Sequence, residues 1–355
     1  MSDRVPLSIR ADLEDVEPYV SPQLPARYRL NTNESPYAPP DALVEDVAAG
    51  LRDATLTRYP DRDAKRLYSA ISKHVEWPVD GLWVANGSNE VFMHLFLGFG
   101  GTDRKTLLFE PTYSLHSLIP KIASTRVIRG GRDETLHIDL DRALEVMAAE
   151  KPEIVIVCSP NNPTGDCEPK ATVEALLAAA DGIVVVDEAY AEFADASDSV
   201  RPLLKEHDNL VVTKTFSKAW RLAGVRIGYM LAQPALIAEL ARVRLPYHLS
   251  TITQVIGEAA IEHSDETLRL VDALIEQRDR VALALAEMGL KVYPSKANFV
   301  LFEIEDADRV WKELLEREVL VRNYSGVHRL ENTLRVTAGL PEEMDAFLTT
   351  LEEVI

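Results

Sequence analysis

Residues 211–231 read VVTKTFSKAWRLAGVRIGYML, and this stretch decides how the rest of the chain is understood. It opens as a buried strand, passes through Thr215, Ser217 and Lys218, and runs on to Arg221, Arg226 and Gly228. Two hydroxyls and a forked, permanently charged guanidinium suit an anion such as phosphate. A lysine in that company, its pKa lowered by burial and by neighbouring cations, can condense with an aldehyde. Lys214 competes with Lys218 for that role, and a surface loop with scattered basic residues has the same composition. The sequence upstream has to decide between them.

Upstream, short apolar runs alternate with glycine or proline turns and helical patterns. The runs are LWVANGSNE (82–90), TLLFEPTY (106–113), EIVIVCSPNNPTG (153–165), GIVVVDEAY (182–190) and LVVT (210–213). Several are continuous and β-branched, as expected of strands covered by helices on both faces. Residues with functional chemistry cluster just past the ends of these runs, where open α/β sheets bind ligands. The fold class expected is therefore α/β: a mostly parallel, doubly wound sheet in a large domain, residues 31–285. Helices are predicted at 41–52, 61–74 (with Asp61 as N-cap), 170–180, 233–244 and 251–288. Beyond 285 the pattern changes. KVYPSKANFVLFEI (291–304), a helix at 306–317, VLVRNY (319–324), TLRVTAG (333–339) and a final helix from Pro341 predict a small α+β domain, 286–355. Residues 1–30, with Pro6, Pro18, Pro22 and Pro25, read as an extended arm that packs with the small domain or a partner subunit.

Composition excludes several classes. The chain has 355 residues, 46% hydrophobic and 27% charged, ordinary for a globular protein. Its net charge of −19 and lack of a basic stripe disfavour nucleic acid as a partner. Two cysteines, Cys158 and Cys167, make no disulfide framework, and metal-ligand spacings are absent, so no metal is expected. No window has the apolar length of a membrane helix, and the acidic N-terminus lacks a signal-peptide core. The expectation is a cytoplasmic protein.

The chemistry gathers at four places. Asp187 ends an apolar strand, where a carboxylate is costly unless it caps the next segment or meets a cation such as a protonated pyridine nitrogen. Tyr190, three residues on, would then reach that ring's phenolic oxygen, as would the amide of Asn162 in SPNNPTG. Ser88 and Asn89 stand at a helix start after Gly87, either as ordinary capping residues or as free N–H groups for a phosphate. Tyr113 follows a strand and a proline, placed either to stack on a planar ligand or to fill the core. An aldehyde that also carries a phosphate and a pyridine ring is pyridoxal 5′-phosphate.

Taken in order, NES, RYP, NGSNE, PTY, SPNNPTG, VDEAY, TFSKxxxLAGxRxGY and LRVTAG resemble the class II, fold-type-I pyridoxal-phosphate aminotransferases over nearly the whole chain. EPYVSP, LNTNESPY, RYPD, RVRLPYHLS, ANFVLF and VLVRNYSG narrow the resemblance to the histidinol-phosphate aminotransferase family. The resemblance implies that Lys218 holds the cofactor's aldehyde carbon. It implies that Asp187 pairs with the pyridine nitrogen, that Asn162 and Tyr190 bond the ring oxygen, and that Tyr113 stacks on the ring. Ser88, Asn89, Thr215, Ser217 and Arg226 would hold the phosphate, together with Tyr59 from the partner of a homodimer with shared active sites. Arg335, Arg322, Tyr19, Asn33 and Tyr247 would line the substrate pocket. Asn89 stands where many relatives carry Asp, and its amide can both donate and accept. The implied reaction is transamination between L-histidinol phosphate and 2-oxoglutarate. Phenylalanine or tyrosine transamination is the rival, and decarboxylation of a phosphothreonine-type substrate a more distant one.

Overall fold

The computed structural model describes residues 8–14, 16–19 and 23–355. The remainder of the expected arm, including Pro6 and Pro22, lies outside the described residues. In chain order the strands are β1 (Tyr28–Arg29), β2 (Leu82–Ala85), β3 (Lys105–Leu108), β4 (Arg126–Arg129), β5 (Ile154–Cys158), β6 (Ile183–Asp187) and β7 (Leu210–Thr215). They continue with β8 (Gly228–Leu231), β9 (Lys291–Val292), β10 (Phe299–Glu303), β11 (Val319–Leu320), β12 (Arg322–Asn323) and β13 (Thr333–Thr337).

A seven-stranded sheet runs β2-β8-β7-β6-β5-β3-β4. It is parallel except for β8, which lies antiparallel between β2 and β7. Its central strands are apolar throughout because successive residues serve opposite faces. Val155, Val157, Val184, Val186 and Val212 enter one core, while Ile154, Ile156, Val185 and Val211 enter the other. Each such side chain withdrawn from water contributes about 1.5–3 kcal/mol, so the strand ends that carry the chemistry stand on a rigid base. Sequence periodicity misses two strands. β4 is RVIR, exposed at both ends on the sheet edge, and β8 is the GYML that follows the lysine loop.

A second, antiparallel sheet runs β12-β13-β10-β9. Its core holds Val300, Phe302, Leu334 and Val336 against Val310 and Leu314 of helix Ala307–Glu316 and Phe347 and Leu351 of helix Pro341–Val354. β1 pairs in parallel with β11, so the chain enters beside this second sheet. The helix Val271–Glu287 serves both bodies, with Val271 and Leu274 in the larger core and Val281 and Leu285 in the smaller one.

Helix boundaries differ from expectation where polar residues intervene. The stretch 251–288 is three helices, Thr251–Glu262, Ser264–Leu268 and Val271–Glu287, broken at His263-Ser264 and again before Val271. The helix expected from Asp61 begins at Lys65, after a turn through Ala64 at φ 45°. Ala64 therefore holds the N-cap position expected for Asp61, whose carboxylate nonetheless accepts the Lys65 N–H at 2.9 Å.

Candidate active site

β5, β6 and β7 end side by side at a cavity of about 360 Å³. Of the candidate site residues, Tyr19, Asn33, Ser88, Asn89, Tyr113, Asn162, Asp187, Tyr190, Thr215, Ser217, Lys218, Arg226, Arg322 and Arg335 line it. Tyr59 and Tyr247 do not. They stack on each other outside the cavity, ring centroids 4.5 Å apart, and Tyr59 is 80% exposed.

Asp187 closes the floor as the last residue of β6. Thr213, its register neighbour on β7, donates Oγ1 to Oδ1 at 2.9 Å. Nε2 of His116, itself buried, lies 3.0 Å from Oδ2, while Nδ1 has no partner among the described residues. Sequence reading missed His116. Its signal is PTYSLH, which puts the histidine one helical turn past Tyr113, and the two rings meet edge to face at 5.4 Å.

Thr215 lines the cavity and Thr213 lies on the same strand face, bonded to Asp187, so strand alternation sends Lys214 to the other side. There it pairs with Glu188 at 3.2 Å and Glu192 at 3.3 Å. Burial alone would lower its pKa, but the two carboxylates more than offset this and raise it. Lys218 has no such ion pair among the described residues. Burial first, then the charge of Arg335, hold its pKa down at about 7; Glu34 opposes them, and Arg226 adds a smaller push downward. Its Nζ donates to the Thr32 carbonyl at 2.9 Å. Geometry thus separates two lysines that composition left equivalent.

One end of the cavity is built for an anion. Helix Ser88–Phe99 begins there, after Gly87 at φ 87°. A Cβ on Gly87 would lie 2.6 Å from Nη2 of Arg226, so the arginine approaches as closely as it does only because the residue is glycine. Arg226, at φ 61°, donates Nη1 to Ser217 Oγ at 3.3 Å, and Thr215 Oγ1 lies 3.0 Å from that same oxygen. Guanidinium, hydroxyls and a helix N-terminus converge as phosphate requires.

The opposite wall belongs to the smaller sheet. Arg322 on β12 and Arg335 on β13 are direct cross-strand partners, so both guanidiniums project on one face. Arg335 donates to Asn162 Oδ1, to Tyr324 Oη at 2.9 Å and to the Asn31 carbonyl at 2.8 Å. Its buried Nε has no partner among the described residues. Tyr324, another residue not singled out from sequence, lies within cation–π range of both arginines, 5.9 Å from Arg322 and 5.4 Å from Arg335. Between the two walls, Asn162 Nδ2 reaches Tyr190 Oη at 3.4 Å and Asn33 Nδ2 reaches it at 2.9 Å. Burial raises the Tyr190 phenol well above its ordinary pKa, which keeps it protonated.

The family model of class I and II aminotransferases matches residues 28–351. The chain belongs to this family. Among the class I and II aminotransferases, histidinol-phosphate aminotransferase of Mycobacterium avium is 44% identical over 351 residues, 96% of this chain and 87% of that one. The enzyme of the same name from Corynebacterium diphtheriae is 43% identical over 357 residues, 98% and 96% of the two chains. The crystal structure of histidinol-phosphate aminotransferase from Sinorhizobium meliloti, in complex with pyridoxal-5′-phosphate, shares the fold, with a TM-score of 0.90 at 22% identity over 99% of both chains. As a member of this family the chain is a pyridoxal-phosphate-dependent transaminase with the fold-type-I architecture. The site fits that cofactor on its own terms: a buried carboxylate whose only ring partner among the described residues is His116, an anion cradle, and a buried amine of lowered pKa in one cavity.

Proposed function

We propose that this transaminase exchanges the amino group of L-histidinol phosphate with 2-oxoglutarate, giving imidazole-acetol phosphate and glutamate, a step of histidine biosynthesis. The observation that carries the reading is the pairing of Arg322 with Arg335 on one wall, with a buried Arg335 Nε still lacking a partner among the described residues. Two forked cations match a phosphate dianion or a dicarboxylate. The lone carboxylate of phenylalanine would leave one of them without its anion. The names of the relatives at 43–44% identity point the same way.

In this reading Ser88, Asn89, Thr215, Ser217 and Arg226 hold the cofactor's phosphate, Tyr113 packs on its ring, and Asn162 and Tyr190 bond its ring oxygen. The bound cofactor supplies an electron sink for the substrate's α-carbon. Asp187, steadied by Thr213 and His116, keeps a proton on the ring nitrogen. Lys218 anchors the aldehyde carbon until the amino donor displaces it, and its freed amine then takes the Cα proton. A group with a pKa of about 7 can take and return that proton near neutral pH. Arg335 and Arg322 orient the substrate's anion, and Tyr19 borders it. The working unit is a homodimer in which Tyr59, and with it the stacked Tyr247, reaches the neighbouring subunit's site. Unpaired Cys158 and Cys167 suit a cytoplasmic location. Among the described residues, no helix is long and apolar enough to cross a membrane.

Steady-state rates with histidinol phosphate and with phenylalanine, each with 2-oxoglutarate, test the substrate. We expect kcat/KM to favour histidinol phosphate by roughly tenfold or more, the value of one charge-assisted hydrogen bond. Equal or better efficiency with phenylalanine assigns the enzyme to aromatic amino acids instead. Carbon dioxide release from phosphothreonine without transamination would make it a decarboxylase.

A further inference from the structure

Three consecutive residues of the LNTNES segment each touch a different working part of the cavity. The Asn31 carbonyl accepts from Arg335, the Thr32 carbonyl accepts from Lys218, and the Asn33 amide donates to Tyr190. The backbone contacts are open to any residue type. The Asn33 side chain is not, because every polar group of that residue is committed. Its N–H donates to Thr337 Oγ1 at 3.0 Å, and its carbonyl accepts from Asn298 Nδ2 at 3.2 Å. Its Oδ1 accepts from Thr337 Oγ1 at 3.0 Å, and its Nδ2 donates to Tyr190 Oη at 2.9 Å. Thr337 both accepts from the backbone and donates to the side chain, so the amide cannot flip. Asn33 is buried and stands at φ 55°, a conformation that asparagine tolerates better than most residues.

We propose that Asn33 is a positioning residue whose locked amide forces the Tyr190 hydroxyl to act as a donor into the cavity. A phenol oxygen has two acceptor sites and one proton. Asn33 Nδ2 occupies one site, and Asn162 Nδ2, at 3.4 Å, approaches the other. With both neighbours donating, the hydroxyl has no acceptor among them and its proton turns to the cavity. Asn33 was expected from sequence to meet substrate. The geometry also assigns it, as a cavity-lining residue, to the tyrosine that faces the cofactor ring, a role resting on the cofactor reading above. The consequence is directional. A donor at the ring oxygen stabilises that oxygen's anionic form and so favours loss of the proton shared with the Lys218 linkage.

The test uses the pyridoxal-phosphate-loaded enzyme and an absorbance titration of the cofactor, with no turnover required. Asn33→Asp keeps the shape and the backbone preference but replaces the donor by an acceptor, so Tyr190 turns its proton to the new carboxylate and away from the ring. The titration midpoint should rise by about one pH unit, a hydrogen bond's worth. Tyr190→Phe should raise it similarly, and the double variant should move no further than Tyr190→Phe alone. A midpoint unchanged in Asn33→Asp while Tyr190→Phe shifts it overturns the proposal, as do additive shifts. No shift in Tyr190→Phe overturns the ring contact of Tyr190 and the proposal with it. If Asn33→Asp does not fold, Thr337→Val frees the amide to flip and should raise the midpoint in the same direction. An unmoved midpoint there also counts against Asn33.

Discussion

Burial acts on Lys214 and Lys218 alike, yet their surroundings drive them in opposite directions. Two carboxylates hold Lys214 charged, while two guanidiniums help to discharge Lys218. The second case links pH to the stability of the cofactor-free protein. In the unfolded chain the lysine titrates near 10.4, and in the folded chain at about 7. Between those values the unfolded state carries a proton that the native state lacks, so stability rises with pH across that window. Lys218→Met removes this dependence and abolishes transamination. Thermal unfolding of both apo proteins should show the variant's advantage greatest at or below pH 7 and fading toward pH 10, whereas a constant gap would contradict the lowered pKa. At this scale the sequence carried much of the site, because Asp187, Asn162, Tyr190 and Lys218 sit in spaced motifs whose neighbours imply a common ligand. His116 and Tyr324 escaped notice for a physical reason. Each acts on another side chain, and single-residue chemistry does not announce that.

The elements converge most tightly where β8 passes under the start of helix Ser88–Phe99. A Cβ on Gly228 would stand 2.2 Å from the Ser88 nitrogen and 2.4 Å from the Gly87 carbonyl carbon. Both are backbone atoms, so no rotamer relieves the clash. Gly228→Ala should cost about 1–3 kcal/mol and weaken pyridoxal-phosphate binding, because the turn that must give way carries the anion cradle. Denaturant midpoints and cofactor titration check this, with Gly224→Ala as control, since a Cβ there meets nothing within 4 Å. Wild-type behaviour of Gly228→Ala would show that the turn yields freely. Elements with two buried faces were legible from sequence as unbroken apolar runs. Edge strand β4, with arginine at both ends, lacks any such run, because its neighbours rather than its periodicity define it. The long helix expected at 251–288 breaks in the structure because apolar periodicity continues through the polar His263-Ser264-Asp265 step, where the backbone does not.

For the whole molecule, the outward-facing pair Tyr59 and Tyr247 lies near exposed Leu56 and Leu245 in sequence, and the active-site cavity uses neither ring. The homodimer proposed above gives them a function, and sedimentation at working concentration should find a dimer. Tyr59→Phe should weaken cofactor retention severalfold, by loss of one hydrogen bond to phosphate worth about 1 kcal/mol. A monomer with full retention would refute the shared site. The hydrogen bonds between Asn33 and Thr337 join positions 304 residues apart, and the one from Arg335 to Asn31 spans the same distance. The cavity is therefore assembled from one segment that leaves the ribosome early and another that leaves it late. A chain still under synthesis can build most of the parallel sheet, but it holds Tyr190 and Lys218 without their neighbours on the other wall. Competence arrives in one late event, when the C-terminal strands emerge and close on a segment made long before.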